Sequence, residues 1–117
     1  MEQGKILIVE DEWLIADGLQ ANLENAGYEV VGIASSGKEA IALAGEQQPD
    51  LVLMDIVIKG ELDGIETAVV MREQFDIPVV YLTAYVDKKT IERARGTGAS
   101  GYVVKPAGIH QLAPMIE

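Results

Sequence analysis

The stretch Leu51-Val52-Leu53-Met54-Asp55 decides the fold. Four consecutive apolar residues run straight into a carboxylate. A run with no polar alternation suits a strand buried on both faces of a parallel sheet. Four further runs share this character: Lys5–Val9 (KILIV), Val30–Ala34 (VVGIA), Val79–Leu82 (VVYL) and Gly101–Val104 (GYVV). β-Branched residues dominate them, as expected for pleated strands packed from above and below.

Longer amphipathic segments separate the runs. Ile15, Leu19 and Leu23 recur at four-residue spacing, and Gly27 supplies a C-terminal stop. Ser36-Gly37-Lys38-Glu39 is a capping box for a second helix carrying Ala40, Ile41 and Ala44, ended by Pro49. Asp63-Gly64-Ile65-Glu66 repeats that cap ahead of Ala68, Val69 and Arg72. A fourth helix, from about Asp87 to Arg95, has Ile91 and Ala94 as its main anchors and is predicted to be the most loosely held. From Ala107 onward, Gly108 and Pro114 leave a weak last helix. Strand and helix alternating five times predict an α/β fold, a doubly wound (βα)5 sandwich with helices on both faces of one five-stranded parallel sheet.

A length of 117 residues suits one domain over 1–117, and a hydrophobic content of 49% supplies its core. The absence of cysteine excludes disulfides and thiolate metal sites. The opening MEQGKILIVEDE has no basic start, and no apolar stretch approaches the ~20 residues that span a bilayer. The expectation is a soluble, cytoplasmic protein with no membrane partner. Nine basic against nineteen acidic residues give a formal charge of −10, which repels nucleic-acid phosphates and argues against direct nucleic-acid binding.

In doubly wound sheets ligands bind beyond the C-terminal ends of the strands. Here the first strand ends in Glu10-Asp11-Glu12, the third in Asp55, the fourth in Thr83 and the fifth in Lys105-Pro106. Ser35 and Ser36 after the second are assigned to capping. Each residue alone has an ordinary explanation. Three acids favour the positive end of the first helix; Thr83 is a loop hydroxyl; a strand often stops at a proline. Carboxylates, a hydroxyl and an ammonium collected at one rim suit phosphoryl chemistry with a hard cation.

The ordered set ILIVEDE, LVLMDI with a following DG, YLTA and GYVVKP resembles the receiver domain of two-component response regulators over essentially the whole chain. The resemblance implies a flavodoxin-like strand order 2-1-3-4-5, which seats Glu10 and Asp11 opposite Asp55. It implies Asp55 as phosphoacceptor and Mg²⁺ as cofactor. Asp11 would hold the metal directly, Glu10 through or beside water, with Asp55 and the backbone carbonyl of Val57 completing the protein ligands. Glu10, Asp11 and Asp55 then carry −3 against +3 from Mg²⁺ and Lys105, so a phosphoryl group can enter. Thr83 and Tyr102 resemble the switch pair that moves the surface of the fourth helix, fifth strand and fifth helix.

The implied partners are a sensor histidine kinase or phosphotransfer protein and an output domain or effector, with a homodimer on phosphorylation. The chain would act as a signalling phosphoacceptor and catalyse only its own phosphorylation and dephosphorylation. Val57 and Tyr85, offering no path to water, predict slow loss of the phosphoryl group. Two departures stand out: Glu10 where aspartate is usual, and a loop of the form DIxxxGxxDGIE. Two other functions compete. A Mg²⁺-dependent phosphohydrolase with an aspartate nucleophile usually needs a second acid at the Val57 position. A pseudo-receiver binding module has no need of an intact Asp11, Asp55, Thr83 and Lys105.

Overall fold

In the computed structural model of the chain the strands are β1 (Lys5–Val9), β2 (Glu29–Ala34), β3 (Leu51–Met54), β4 (Val79–Thr83) and β5 (Gly101–Val104). The helices are α1 (Trp13–Asn25), α2 (Gly37–Gln47), α3 (Gly64–Val70) and α4 (Lys88–Arg95). Residues 4–56, 58, 60, 62–83, 88–97 and 101–104 are described, with backbone alone for Thr83 and 102–104. The expected last helix lies outside them. The strands form one parallel sheet in the order β2-β1-β3-β4-β5, the doubly wound arrangement expected.

Alternation along the central strands divides the core in two, because successive side chains leave a strand on opposite faces. Ile6, Ile8, Leu51, Leu53, Val80 and Leu82 pack against Ala16, Leu19 and Leu23 of α1. Leu7, Val9, Val52, Met54, Val79 and Tyr81 face the other way, onto Ala40 and Ala44 of α2, Ile65 and Ala68 of α3, and Ala94 of α4. Among the α1 positions expected to be buried, Leu19 and Leu23 are, whereas Ile15 is only partly covered. In α4 the anchor is Ala94 rather than the pair expected, since Ile91 is half-buried.

Two features depart from the sequence reading. β2 is not buried on both faces: Ala34 is its one buried residue, and Ile33 is 36% exposed. It is an edge strand paired only to β1, with a register shift opposite Ile6 and Leu7, and edges are the less covered part of a sheet. Secondly, α3 runs into a π-helical segment, Met71–Phe75, closed by Asp76 in the left-handed region at φ 53°. The wider turn leaves Met71 fully buried. Pro78 then starts the approach to β4 with a carbonyl that accepts Val52 N–H at 3.0 Å.

Candidate functional site

β1 and β3 lie side by side in register, Val9 against Met54, so the residues that follow them meet at the carboxyl rim. Backbone hydrogen bonds continue one step beyond the strands. Glu10 N–H donates to the Ala34 carbonyl at 2.9 Å, and Asp55 N–H donates to the Val9 carbonyl at 2.9 Å. The main chain beneath both carboxylates is thereby held as firmly as the sheet.

Glu10 is 2% exposed and Asp55 5%, while Asp11 is partly open to solvent. One carboxylate oxygen from each lies within 4.8 Å of the other two. Glu10 Oε2 also accepts from Glu12 N–H at 3.3 Å, folding the first acid under the turn into α1. That turn answers the helix-dipole explanation. Glu12 caps α1 through its carbonyl, which accepts from Ile15 and Ala16 N–H at 3.0 Å, and makes no side-chain cap. α1 has no acid in its first turn. Glu10 and Asp11 are turned toward Asp55.

The donor set suits a hard cation. All three groups supply oxygen, the ligand that Mg²⁺ requires, and their spread is close to the ~4.2 Å that separates opposite ligands of an octahedral Mg²⁺. Two like charges at about 4 Å repel by about 4 kcal/mol at an effective dielectric of 20. A divalent ion between them turns that repulsion into attraction.

The remaining expected residues are placed to different degrees. Thr83 closes β4 and pairs with Val104, the residue before Lys105. Tyr102 pairs with Tyr81 in the same ladder. Lys105, Val57 and Tyr85 lie outside the described residues. Trp13 opens α1 with 72% of its surface exposed, and Leu14 beside it with 70%.

One neighbour of Asp55 was missed by the sequence reading. The sequence marks Asp63-Gly64 as a helix cap, and the cap is present in full: Asp63 Oδ1 accepts from Glu66 N–H at 2.8 Å, and Glu66 Oε1 accepts from Asp63 N–H at 2.9 Å. Gly64, however, also lies directly on the Asp55 peptide. Its N–H donates to the Ile56 carbonyl at 2.7 Å. A Cβ there would overlap the Asp55 carbonyl oxygen and stand 2.7 Å from Ile56 Cα. A glycine following a capping residue was the signal available, and the contact it permits depends on the returning chain.

The model of the response regulator receiver domain family matches residues 6–117. The chain belongs to that family. The receiver domain is 44% identical over 113 residues to the transcriptional regulatory protein PdtaR of Mycobacterium tuberculosis, covering 97% of this chain and 55% of that protein. It is 35% identical to the response regulator VraR of Staphylococcus aureus, covering 96% and 54%. It thus spans about half the length of the curated relatives it matches. The signal receiver domain of a modulated diguanylate cyclase from Desulfovibrio desulfuricans superposes with a TM-score of 0.92 at 36% identity, covering 98% of this chain and 91% of that one. The BeF3-activated receiver domain of Klebsiella pneumoniae RstA does so at 0.87 and 29%, covering 96% and 94%. Among the described residues of the receiver domain no helix is long and apolar enough to cross a membrane.

Proposed function

We propose that Asp55 is the phosphoacceptor of this receiver domain and that residues 1–117 work as one signal-accepting unit. One observation carries the reading: Glu10, Asp11 and Asp55 converge within 4.8 Å at the ends of two adjacent strands, two of them almost wholly buried. Glu10, Asp11, Asp55 and the Val57 carbonyl would hold Mg²⁺, which when bound neutralises charge on the transferring phosphoryl oxygens.

A carboxylate oxygen of Asp55 attacks the phosphorus of a phosphohistidine. The new O–P bond forms as the N–P bond breaks, and the electron pair leaves with the imidazole, which carries a proton on its other nitrogen and so departs neutral. The two backbone hydrogen bonds beneath Glu10 and Asp55 hold the nucleophile in place. Lys105 bears charge on a transferred oxygen and Thr83 donates a hydrogen bond to another; Thr83 and Tyr102 then carry the change to α4 and β5. The donor is a sensor histidine kinase or a phosphotransfer protein. The receiver surface, at −10, meets no nucleic acid directly; an output domain or effector, or a phosphorylation-induced homodimer, takes the signal onward.

Acetyl phosphate with Mg²⁺ provides the test. Intact mass should rise by one phosphoryl group, the modification should map to Asp55, and Asp55→Asn should stay unmodified. Labelling of Asp55→Asn to the same extent would overturn the assignment. Rapid consumption of acetyl phosphate with no protein-bound phosphoryl group would instead favour the phosphohydrolase.

A further inference from the structure

We infer that Asp63, Gly64 and Arg93 form a mechanical link from the Asp55 site to α4, in which the Arg93–Asp63 ion pair latches α4 against the start of α3. The inference rests on the phosphoacceptor reading of Asp55 and concerns how that site is regulated.

Three observations support the link. Gly64 has no slack against Asp55, because even a methyl group there would strike the Asp55 carbonyl. Asp63, one residue earlier, divides its carboxylate. Oδ1 caps α3, while Oδ2 accepts from Arg93 Nη2 at 3.0 Å across to α4. Finally, Ala94 is the one buried residue of α4. Just beyond its C-terminus, the Thr97 hydroxyl donates to the Ala94 carbonyl at 2.7 Å and lies 2.8 Å from the buried Tyr81 hydroxyl. A helix fixed by polar contacts at its end, with one small apolar anchor, can be re-seated at little cost.

Filling the site shifts the Asp55 peptide, and because Gly64 packs directly on that peptide, Gly64 and Asp63 move with it. The bond from Arg93 is strained, and α4 shifts away from α3. By thermodynamic reciprocity, releasing the latch must in turn favour the filled site. The pair is partly exposed, with the side chains 46% and 33% open, so the bias is modest, about two- to fivefold in the ratio of the two states.

The experiment uses beryllofluoride at saturating Mg²⁺ as a stand-in for the phosphoryl group, titrated by amide NMR on the full chain. Arg93→Gln removes the donor charge. Asp63→Asn removes the acceptor charge but keeps an oxygen for the α3 cap. Both variants should bind beryllofluoride about two- to fivefold more tightly than wild type. The double variant should gain no more than either single one, and the difference should fade in high salt. A plain charge effect would move the two variants in opposite directions, because one loses a positive and the other a negative charge. Opposite shifts, or no shift in either variant while wild type binds normally, overturn the latch. A wild-type protein that binds no beryllofluoride and takes no phosphoryl group overturns the phosphoacceptor reading itself.

Discussion

At the scale of single residues, Glu10 and Gly64 do work that their neighbours in sequence do not announce. Glu10 is buried, and its Oε2 accepts a hydrogen bond from the chain entering α1. Glu10→Gln keeps an oxygen for that bond and removes one charge from the cluster. Mg²⁺ affinity should fall about tenfold, equivalent to about 1.4 kcal/mol, while the unfolding midpoint without Mg²⁺ holds or rises because a repulsion is gone. An unchanged Mg²⁺ titration would remove Glu10 from the metal site. Gly64→Ala forces a methyl group onto the Asp55 carbonyl. It should cost about 1–3 kcal/mol in urea unfolding and slow labelling by acetyl phosphate even in molecules that remain folded. Wild-type stability in that variant would mean that the start of α3 yields more easily than its packing indicates. Glu10 was legible as a candidate because it ends an apolar run. The role of Gly64 was not, since a glycine in sequence shows freedom to approach and never what is approached.

At the scale of elements, the caps and the C-terminal end of α4 are where local chemistry settles geometry. Ser36 Oγ accepts from Glu39 N–H at 3.2 Å at the start of α2, and Asp63 anchors the full box at α3. Each cap replaced by alanine should lose about 1 kcal/mol, with Asp63→Ala the costlier because Arg93 also loses its acceptor. Both helix starts were legible because the capping pattern is local. The π-helical segment Met71–Phe75 was not: MREQF carries no mark that separates a π turn from an α turn. Tyr81 ties β4 to the end of α4, and burial holds its phenolic proton above the ordinary tyrosine value. The folded chain therefore keeps a proton that the unfolded chain releases near pH 10. Stability from this source is full below about pH 10 and is lost as pH rises through the raised value. Tyr81→Phe should flatten the alkaline fall in the unfolding midpoint; an identical fall in both proteins would place its cause elsewhere.

At the scale of the whole molecule, the proposed Mg²⁺ site would couple metal binding to folding, because an unfolded chain does not hold three carboxylates within 4.8 Å. Mg²⁺ at a hundred times its dissociation constant should add about 2.7 kcal/mol to stability. The melting temperature should rise more than with sodium chloride of equal ionic strength, which acts on the net charge of −10 only by screening. Asp55→Ala should remove most of the difference. Equal effects of the two salts on wild type would count against a built metal site. By itself the amino-acid order determined the element types, the positions of the strands and the acids at their ends, because burial on two faces demands unbroken apolar runs and caps need particular side chains at short spacing. The family resemblance supplied the strand order that makes Glu10 and Asp55 neighbours; the tertiary structure alone decided that Gly64 lies on the Asp55 peptide and that Asp63 reaches Arg93. Those are contacts between distant segments, and the pairing of whole strands and the packing of helices over them, rather than any local preference, set which residues meet.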